Sequence, residues 1–241
     1  MSRPAALVVA GGGAAGFLAA ITAAEAGVAD VHVLEATAEP LTKVRISGGG
    51  RCNVTHACWD PLTLVGHYPR GSRALRGPFS RFAPGDAVAW FADHGVELIT
   101  EADGRMFPST HSSATVVAAL RTAARRAGVQ LHSRCALRGV VAPAGPAEPF
   151  GLQLRGEGSG AAPVACRRLL LATGGHPRGR ALAAQLPAMG ETVALTHWER
   201  RPAGWTCTQG PREVVPEGDE ADYAACVLRS EEHTSELQSR Q

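Results

Sequence analysis

The chain has 241 residues, 45% of them hydrophobic, enough to bury a substantial core in one or two domains. Its net charge of +2 is too small to select nucleic acid or an anionic membrane as a partner. The six cysteines, at 52, 58, 135, 166, 207 and 226, form no CxxC pair and no regular framework, which is the pattern of reduced thiols in a cytoplasmic protein.

From the N-terminus, Leu7 to Ala10 reads as a short apolar strand, followed by the run GGGAAG at Gly11 to Gly16 and a helical pattern that continues to Gly27. A second strand, Val31 to Leu34, ends at Glu35. Together they predict one βαβ unit for a dinucleotide. Gly11 permits the tight turn out of the strand, Gly13 lets backbone approach a pyrophosphate, and Gly16 lets the helix sit close on the sheet. The helix start offers unpaired N–H groups and a positive dipole end to phosphates. Glu35 stands 19 residues beyond Gly16, near the distance at which an acid meets a ribose hydroxyl. A carboxylate there repels a 2′-phosphate, which favours FAD or NAD over NADP. Because Pro4 to Ala24 carries no charge, the run also fits a membrane span or a secretory signal. Three adjacent glycines and the strand that follows argue against both.

Ser47, Gly48, Gly49, Gly50, Arg51, Cys52 and Asn53 lie within the segment Pro40 to Cys58. Three successive glycines allow backbone N–H groups to converge on an acceptor, and Ser47, Arg51 and Asn53 add donors. Pro61 to Arg81 reads as loop, interrupted repeatedly by Pro, Gly and Arg. A short helix is expected over Asp86 to His94, with Val88, Phe91 and Ala92 on one face and Gly95 as its stop. The strand Val96 to Ile99 follows, then a turn at Asp103-Gly104 that delivers Arg105, Phe107 and Pro108. Ser112 or Ser113 caps a helix running to Ala127, with Val116, Val117, Leu120 and Ala124 inward, Arg121, Arg125 and Arg126 on its solvated side, and Gly128 ending it. Val129 to His132 extends the parallel sheet. Between about residues 135 and 168, Leu137 to Val141, the alternation Phe150, Leu152, Leu154, and Val164 to Arg167 suggest a small antiparallel meander laid over that sheet. Leu169 to Ala172 reads as a strand buried on both faces, and Thr173, Gly174 and Gly175 turn the chain past the nucleotide.

With GGGAAG, Glu35, ISGGGRCNVT, EADGRMFPS at Glu101 to Ser109, and LLLATGG at Leu169 to Gly175, the chain resembles the HI0933-like family of FAD-dependent flavoproteins, which is similar to the aminoacetone oxidase and BaiN-type groups. The signatures occur in the expected order over roughly the first 185 residues, and the SGGGRCN block is the specific one. The resemblance implies an α/β, Rossmann-like FAD-binding domain with a parallel sheet and a β-meander crossover, belonging to a two-domain flavoprotein. It implies an extended FAD, with the pyrophosphate over Gly11 to Gly16, the adenosine ribose on Glu35 and the flavin end near Ser47 to Asn53. Ala14, Ala15, Ala36, Lys43, Cys135 and Ala172 complete the residues expected around the cofactor. No metal is expected, the substrate is a small molecule, and NAD(P)H is the candidate electron donor. Under the resemblance, the EADGRMFPS block lies near the flavin or the domain junction. Read from its residues alone, it caps a hairpin, with Phe107 buried and Arg105 paired to Glu101. Cys52 fills a tight turn or, with Cys58 six positions away, forms a redox-active pair.

Beyond Gly175-His176-Pro177 and Ala181 to Leu186 the resemblance fades, and after Gly190 the chain, with His197, Trp198, Trp205 and Cys207, follows no period. Residues 229–241, RSEEHTSELQSRQ, contain no Ala, Gly, Pro or Val and match a sequencing adapter translated in frame; a polar disordered tail is the other reading. The expected organisation is an incomplete FAD-binding domain over 1–189, a divergent or frame-shifted segment over 190–228 and an artefactual tail. The expected function is that of an FAD-binding oxidoreductase represented by its N-terminal portion, without its substrate lobe. A non-catalytic nucleotide-binding fragment and an NAD-dependent dehydrogenase are the alternatives, the latter leaving SGGGRCN unexplained.

Overall fold

The computed structural model describes residues 3–68, 72–145, 148–175, 177–184, 196–201 and 204–209. The charge-free N-terminal run splits into strand β1 (Ala5–Ala10) and helix α1 (Ala14–Glu25), followed by β2 (Val31–Leu34). No helix among the described residues is long and apolar enough to cross a membrane. After β2 come the short helix α2 (Thr42–Ile46), a 3-10 turn at Ser47–Gly50, and β3 (Thr55–His56).

Two helices occupy the stretch expected to be loop, α3 (Pro61–Gly66) and α4 (Ser72–Arg81). Asp60 accounts for the first, since its carboxylate accepts from the backbone N–H and the hydroxyl of Thr63, both at 2.7 Å, while Pro61 takes the first helical position. Leu64, Val65, Tyr68, Leu75 and Phe79 then form a small apolar cluster of their own, which outweighs the poor helix propensity of Gly77 and Pro78. Helix α5 (Pro84–Asp93) begins two residues earlier than expected, because Asp86 sits in its first turn and accepts from the Ala83 N–H at 2.7 Å. Its buried face is Pro84, Ala87 and Phe91, whereas Ala92 is exposed.

The strands β4 (Leu98–Thr100) and β5 (Arg105–Pro108) pair antiparallel, and β5 pairs with β3 on its other side. Helix α6 (Ser113–Arg126) is capped by Ser112 and buries Val116, Val117, Leu120 and Ala124 as its period requires. Then come β6 (Gln130–His132), β7 (Ala136–Val141), β8 (Phe150–Arg155), a 3-10 turn at Glu157–Ala161, β9 (Ala165–Leu171) and α7 (Pro177–Ala184). Past Gly190, where no period is legible, β10 (Thr196–Arg201) and β11 (Gly204–Gln209) form an antiparallel hairpin. Residues 210–241, including the proposed tail, lie outside the described residues.

The main sheet has the order β6-β2-β1-β9-β8-β7, parallel from β6 to β9 and antiparallel from β9 to β7. The third meander strand and the last parallel strand, expected as two elements, are one. Ala165 and Cys166 pair with β8, while Cys166 to Leu171 pair with β1. Leu169 and Leu170 are half-buried rather than sealed, with Leu170 facing the helix side and Leu169 the meander side. On one face Val9, Val31 and Val33 pack with Phe17 and Ile21 of α1 and Val117 and Leu120 of α6. On the other, Val8, Ala10, Leu34 and Leu171 pack with Leu137, Val140 and Leu152 of the meander. This register brings Ala10, Leu34, His132 and Leu171 to one edge of the sheet, so the loops after β1, β2, β6 and β9 emerge together. That edge is where open α/β sheets bind ligands.

Candidate nucleotide site

Gly11 leaves β1 with φ +125° and donates its N–H to Leu34 O at 2.8 Å. A Cβ on it would strike the carbonyl of Ala172, which itself is tied back to β1 by Ala172 N–H to Ala10 O at 2.8 Å. A Cβ on Gly16 would strike the carbonyl oxygen of Gly11, so the helix touches the turn backbone to backbone. Gly13 differs, since a Cβ there would meet no atom within 4 Å. Ala14 and Ala15 stand half-buried beside it. Helix α1 has no side-chain cap, unlike α3 and α6, and no acid in its first turn. Its first N–H groups therefore have no partner from a capping side chain.

Gly12 is not singled out by the glycine spacing, yet it is tied to Glu35 and Leu41 on three counts. Its N–H donates to Glu35 Oε2 at 2.9 Å, its carbonyl accepts from Leu41 N–H at 2.8 Å, and a Cβ on it would press on the Glu35 side chain at 2.9 Å. Only the partner position of Glu35 across the turn reveals this requirement. The other carboxylate oxygen of Glu35 accepts from the N–H and hydroxyl of Thr37, both at 2.7 Å. Ala36 between them is exposed. Behind Glu35, its backbone N–H donates to His132 O at 2.9 Å and its carbonyl accepts from Cys135 N–H at 2.8 Å. Cys135 thus meets this loop through its backbone. Its side chain is sealed under the meander, where burial pushes the thiol pKa up.

Lys43 is exposed on α2, and its ammonium lies 3.4 Å from where a Gly174 Cβ would stand. It makes no ion pair with a described residue. Gly174 has φ +64°, and no atom approaches the place of a Cβ on Gly175 within 4 Å. A Cβ on Gly179 would strike the Thr173 hydroxyl, which places α7 directly against the Thr173 turn.

The SGGGRCN turn is left-handed at Gly48, Gly49, Gly50 and again at Cys52, with Cys52 N–H bonded to Ser47 O at 3.0 Å. Ser47 donates to Val44 O at 3.0 Å. The Asn53 carboxamide nitrogen donates to Thr55 O at 2.9 Å and Met106 O at 3.2 Å. Arg51 donates to Glu101 at 2.5 Å and lays its guanidinium 4.0 Å from the centroid of Phe107. Phe107 is fully buried and comes within 2.9 Å of the place of a Cβ on Gly48. Arg105 in turn bonds Asp103 at 2.6 Å and lies 3.6 Å from Glu101. The backbone N–H of Arg105 holds the Asp103 carboxyl below its usual value, assisted by the side chain and opposed by desolvation. The EADGRMFPS block is therefore both a paired hairpin and the support of the SGGGRCN turn. No disulfide joins Cys52 to Cys58, and burial followed by the Asp60 charge raises the Cys58 thiol pKa, contrary to what a reactive thiol needs.

A narrow apolar cavity of about 40 Å³ joins the two halves of the site, with Ala14 and Leu18 of α1 on one side and Ser47, Cys52 and Asn53 on the other. Trp90 and Phe91 of α5 help to close it.

The chain is 33% identical over 125 residues to a 3-dehydro-bile acid delta(4,6)-reductase of Clostridium scindens, covering 51% of this chain and 29% of that protein. It is 27% identical over 168 residues to the ribosomal RNA dihydrouridine synthase of Escherichia coli, covering 70% of this chain and 39% of that protein. The chain thus spans roughly a third of the length of these relatives. Among solved structures, an open conformation of a flavocytochrome c3 fumarate reductase shares the fold, with a TM-score of 0.52 at 20% identity over 72% of this chain and 34% of the other. The model of the HI0933-like protein Rossmann domain matches residues 5–196, and the chain belongs to that family.

Proposed function

We propose that the chain binds FAD along the carboxyl edge of its sheet and forms the flavin-binding part of an FAD-dependent oxidoreductase. The observation that carries this reading is the start of α1, which has no capping side chain and opens at Gly13 to space that a diphosphate would fill. In this reading the first-turn N–H groups of α1 and the Lys43 ammonium hold the diphosphate, and Glu35, fixed by Gly12 and Thr37, meets the adenosine ribose. Ser47, Gly49, Gly50 and Arg51 face the flavin end, with Asn53 bracing their turn, and the Ala172 to Gly175 turn closes the site from β9. When bound, FAD supplies hydride chemistry; the protein binds, orients and tunes it. Arg51, already held by Glu101 and Phe107, brings a fixed positive charge to that end. A small-molecule substrate and NAD(P)H as electron donor complete the reading, which fits the reductase named among the relatives.

Purified chain mixed with FAD and freed of excess is expected to keep an absorbance band at roughly 450 nm, the property of a bound flavin. A colourless product overturns the proposal. Substituting Arg51→Ala is expected to slow reduction of the bound flavin by about 10²-fold, and an unchanged rate removes that role. The short span relative to the relatives favours one second reading, a non-catalytic nucleotide-binding unit. Stable FAD binding with no bleaching by NADH, NADPH or dithionite-free substrate screens would select it.

A further inference from the structure

A line of three side chains lies beneath the Glu35 loop and is used by none of the roles above. His32 of β2, only 6% exposed, places Nε2 2.9 Å from Asp30 Oδ1 and Nδ1 2.9 Å from His132 Nε2 on the edge strand β6. The two rings are nearly parallel, 18° apart with centroids at 5.2 Å, and meet edge to edge through these nitrogens. With both imidazoles neutral, one tautomer pair satisfies every bond: His32 Nε2–H donates to Asp30, and His132 Nε2–H donates to the bare Nδ1 of His32. One added proton preserves the contact, since one nitrogen of the facing pair still lacks hydrogen. A second proton sets N–H against N–H and two positive charges against each other, one on buried His32 and one on half-buried His132.

What would yield is β6. It is three residues long, lies at the sheet edge, and continues into the segment that grips the Glu35 loop. That grip consists of Glu35 N–H to His132 O at 2.9 Å, Cys135 N–H to Glu35 O at 2.8 Å, and Arg134 N–H to Thr37 O at 2.8 Å. The other groups near the pair are accounted for. Gln130 of β6 donates to Asp30 at 3.4 Å, β1 presents apolar Val8 in register with His32, and Glu157, on the turn packed against residues 133–135, is taken up by Arg134 at 2.8 Å. Among the described residues, Asp30 is the carboxylate in contact with the pair, through His32 Nε2 at 2.9 Å.

We propose that the Asp30-His32-His132 line positions Glu35 for the nucleotide and releases it on acidification, making cofactor affinity pH-dependent. This rests on the reading of Glu35 as the ribose-binding acid. Burial, and then the His32 charge, lower the His132 pKa from its ordinary 6.5. A base whose folded-state pKa is depressed stabilises the fold above its unfolded value and loses that contribution as pH falls toward the folded one. The window therefore opens at about 6.5 and extends downward.

The test measures FAD affinity by calorimetry, and the urea midpoint of the FAD-free chain, from pH 5.5 to 8. The diphosphate bridge of FAD does not titrate in this range. Wild type is expected to lose about tenfold in affinity across the window and to lower its urea midpoint in parallel. His132→Gln, whose amide still donates to His32 but does not titrate, is expected to flatten both profiles. Parallel pH profiles for the two proteins overturn the proposal. If FAD binds at no pH, the FAD reading fails and the affinity claim falls with it, while a pH-dependent midpoint abolished by His132→Gln would still identify the histidine pair as the controller of β6. Should His132→Gln not fold, NMR titration of the wild-type ring protons decides: two separated steps support the proposal, and one joint step at the ordinary value overturns it.

Discussion

A methyl group on Gly16 would land on the carbonyl oxygen of Gly11, whereas one on Gly13 would point into open space. The two substitutions therefore separate folding from binding. Gly16→Ala is expected to destabilise the chain by about 3 kcal/mol, because backbone on both sides must shift. Gly13→Ala is expected to cost under about 1 kcal/mol while weakening FAD binding, which paired urea melts and calorimetry would show. Gly12 and Glu35 act as a unit through one hydrogen bond and one close contact. Gly12→Ala and Glu35→Ala should each lower FAD affinity, and the double variant should lose clearly less than the sum, since contacting residues are not additive. Independent, additive losses in that cycle would show that Gly12 does not act through Glu35.

Among the elements, α3 and α4 stand apart from the nucleotide edge. Their cluster of Leu64, Val65, Tyr68, Leu75 and Phe79 is small and its own, joined by half-buried Cys58 and Phe82. Truncating the fully buried Phe79 to Ala removes its centre and should cost about 3 to 5 kcal/mol there. Native-state hydrogen exchange is the measurement. Protection in α3 and α4 should collapse while β1 and α1 stay protected, and uniform loss would mean that these helices belong to the main cooperative unit. By contrast, the β3-β5-β4 sheet acts on the site directly, because Phe107 and Glu101 hold Arg51 in place.

For the molecule as a whole, one sheet edge collects four loops, and its two faces are sealed by different means, helices on one and the meander on the other. Cysteine chemistry reports on that sealing. Cys135 and Cys166 are fully buried in the meander-side cluster, with the Cys166 thiol pushed up to about 12 by desolvation. Half-buried Cys58 should therefore be alkylated before either of them at pH 8 in the native state, as read by peptide mass spectrometry. Labelling of Cys135 or Cys166 at the rate of Cys58 would mean that the meander opens from the sheet.

The opening βαβ unit was legible because its determinants are local: strand, three glycines at fixed spacing, a helical period and an acid at the end of β2. The same holds for α6, whose serine cap and apolar stripe are complete within its own residues. Where contacts from afar decide, sequence alone fell short. Asp60 and a remote apolar cluster turned a Pro- and Gly-broken stretch into two helices. Pairing with β1 on one side and β8 on the other fused two expected strands into β9. The need for glycine at position 12 exists only because Glu35 arrives across the turn, and the support of Arg51 by Glu101 only because β5 folds against it. The order of the glycines and acids thus set the tight turn, the helix start and the acid that meet at this edge. Which side chains brace it, and the meeting of buried His32 with half-buried His132, followed from packing between distant segments, 100 residues apart for the histidine pair, which no local pattern encodes.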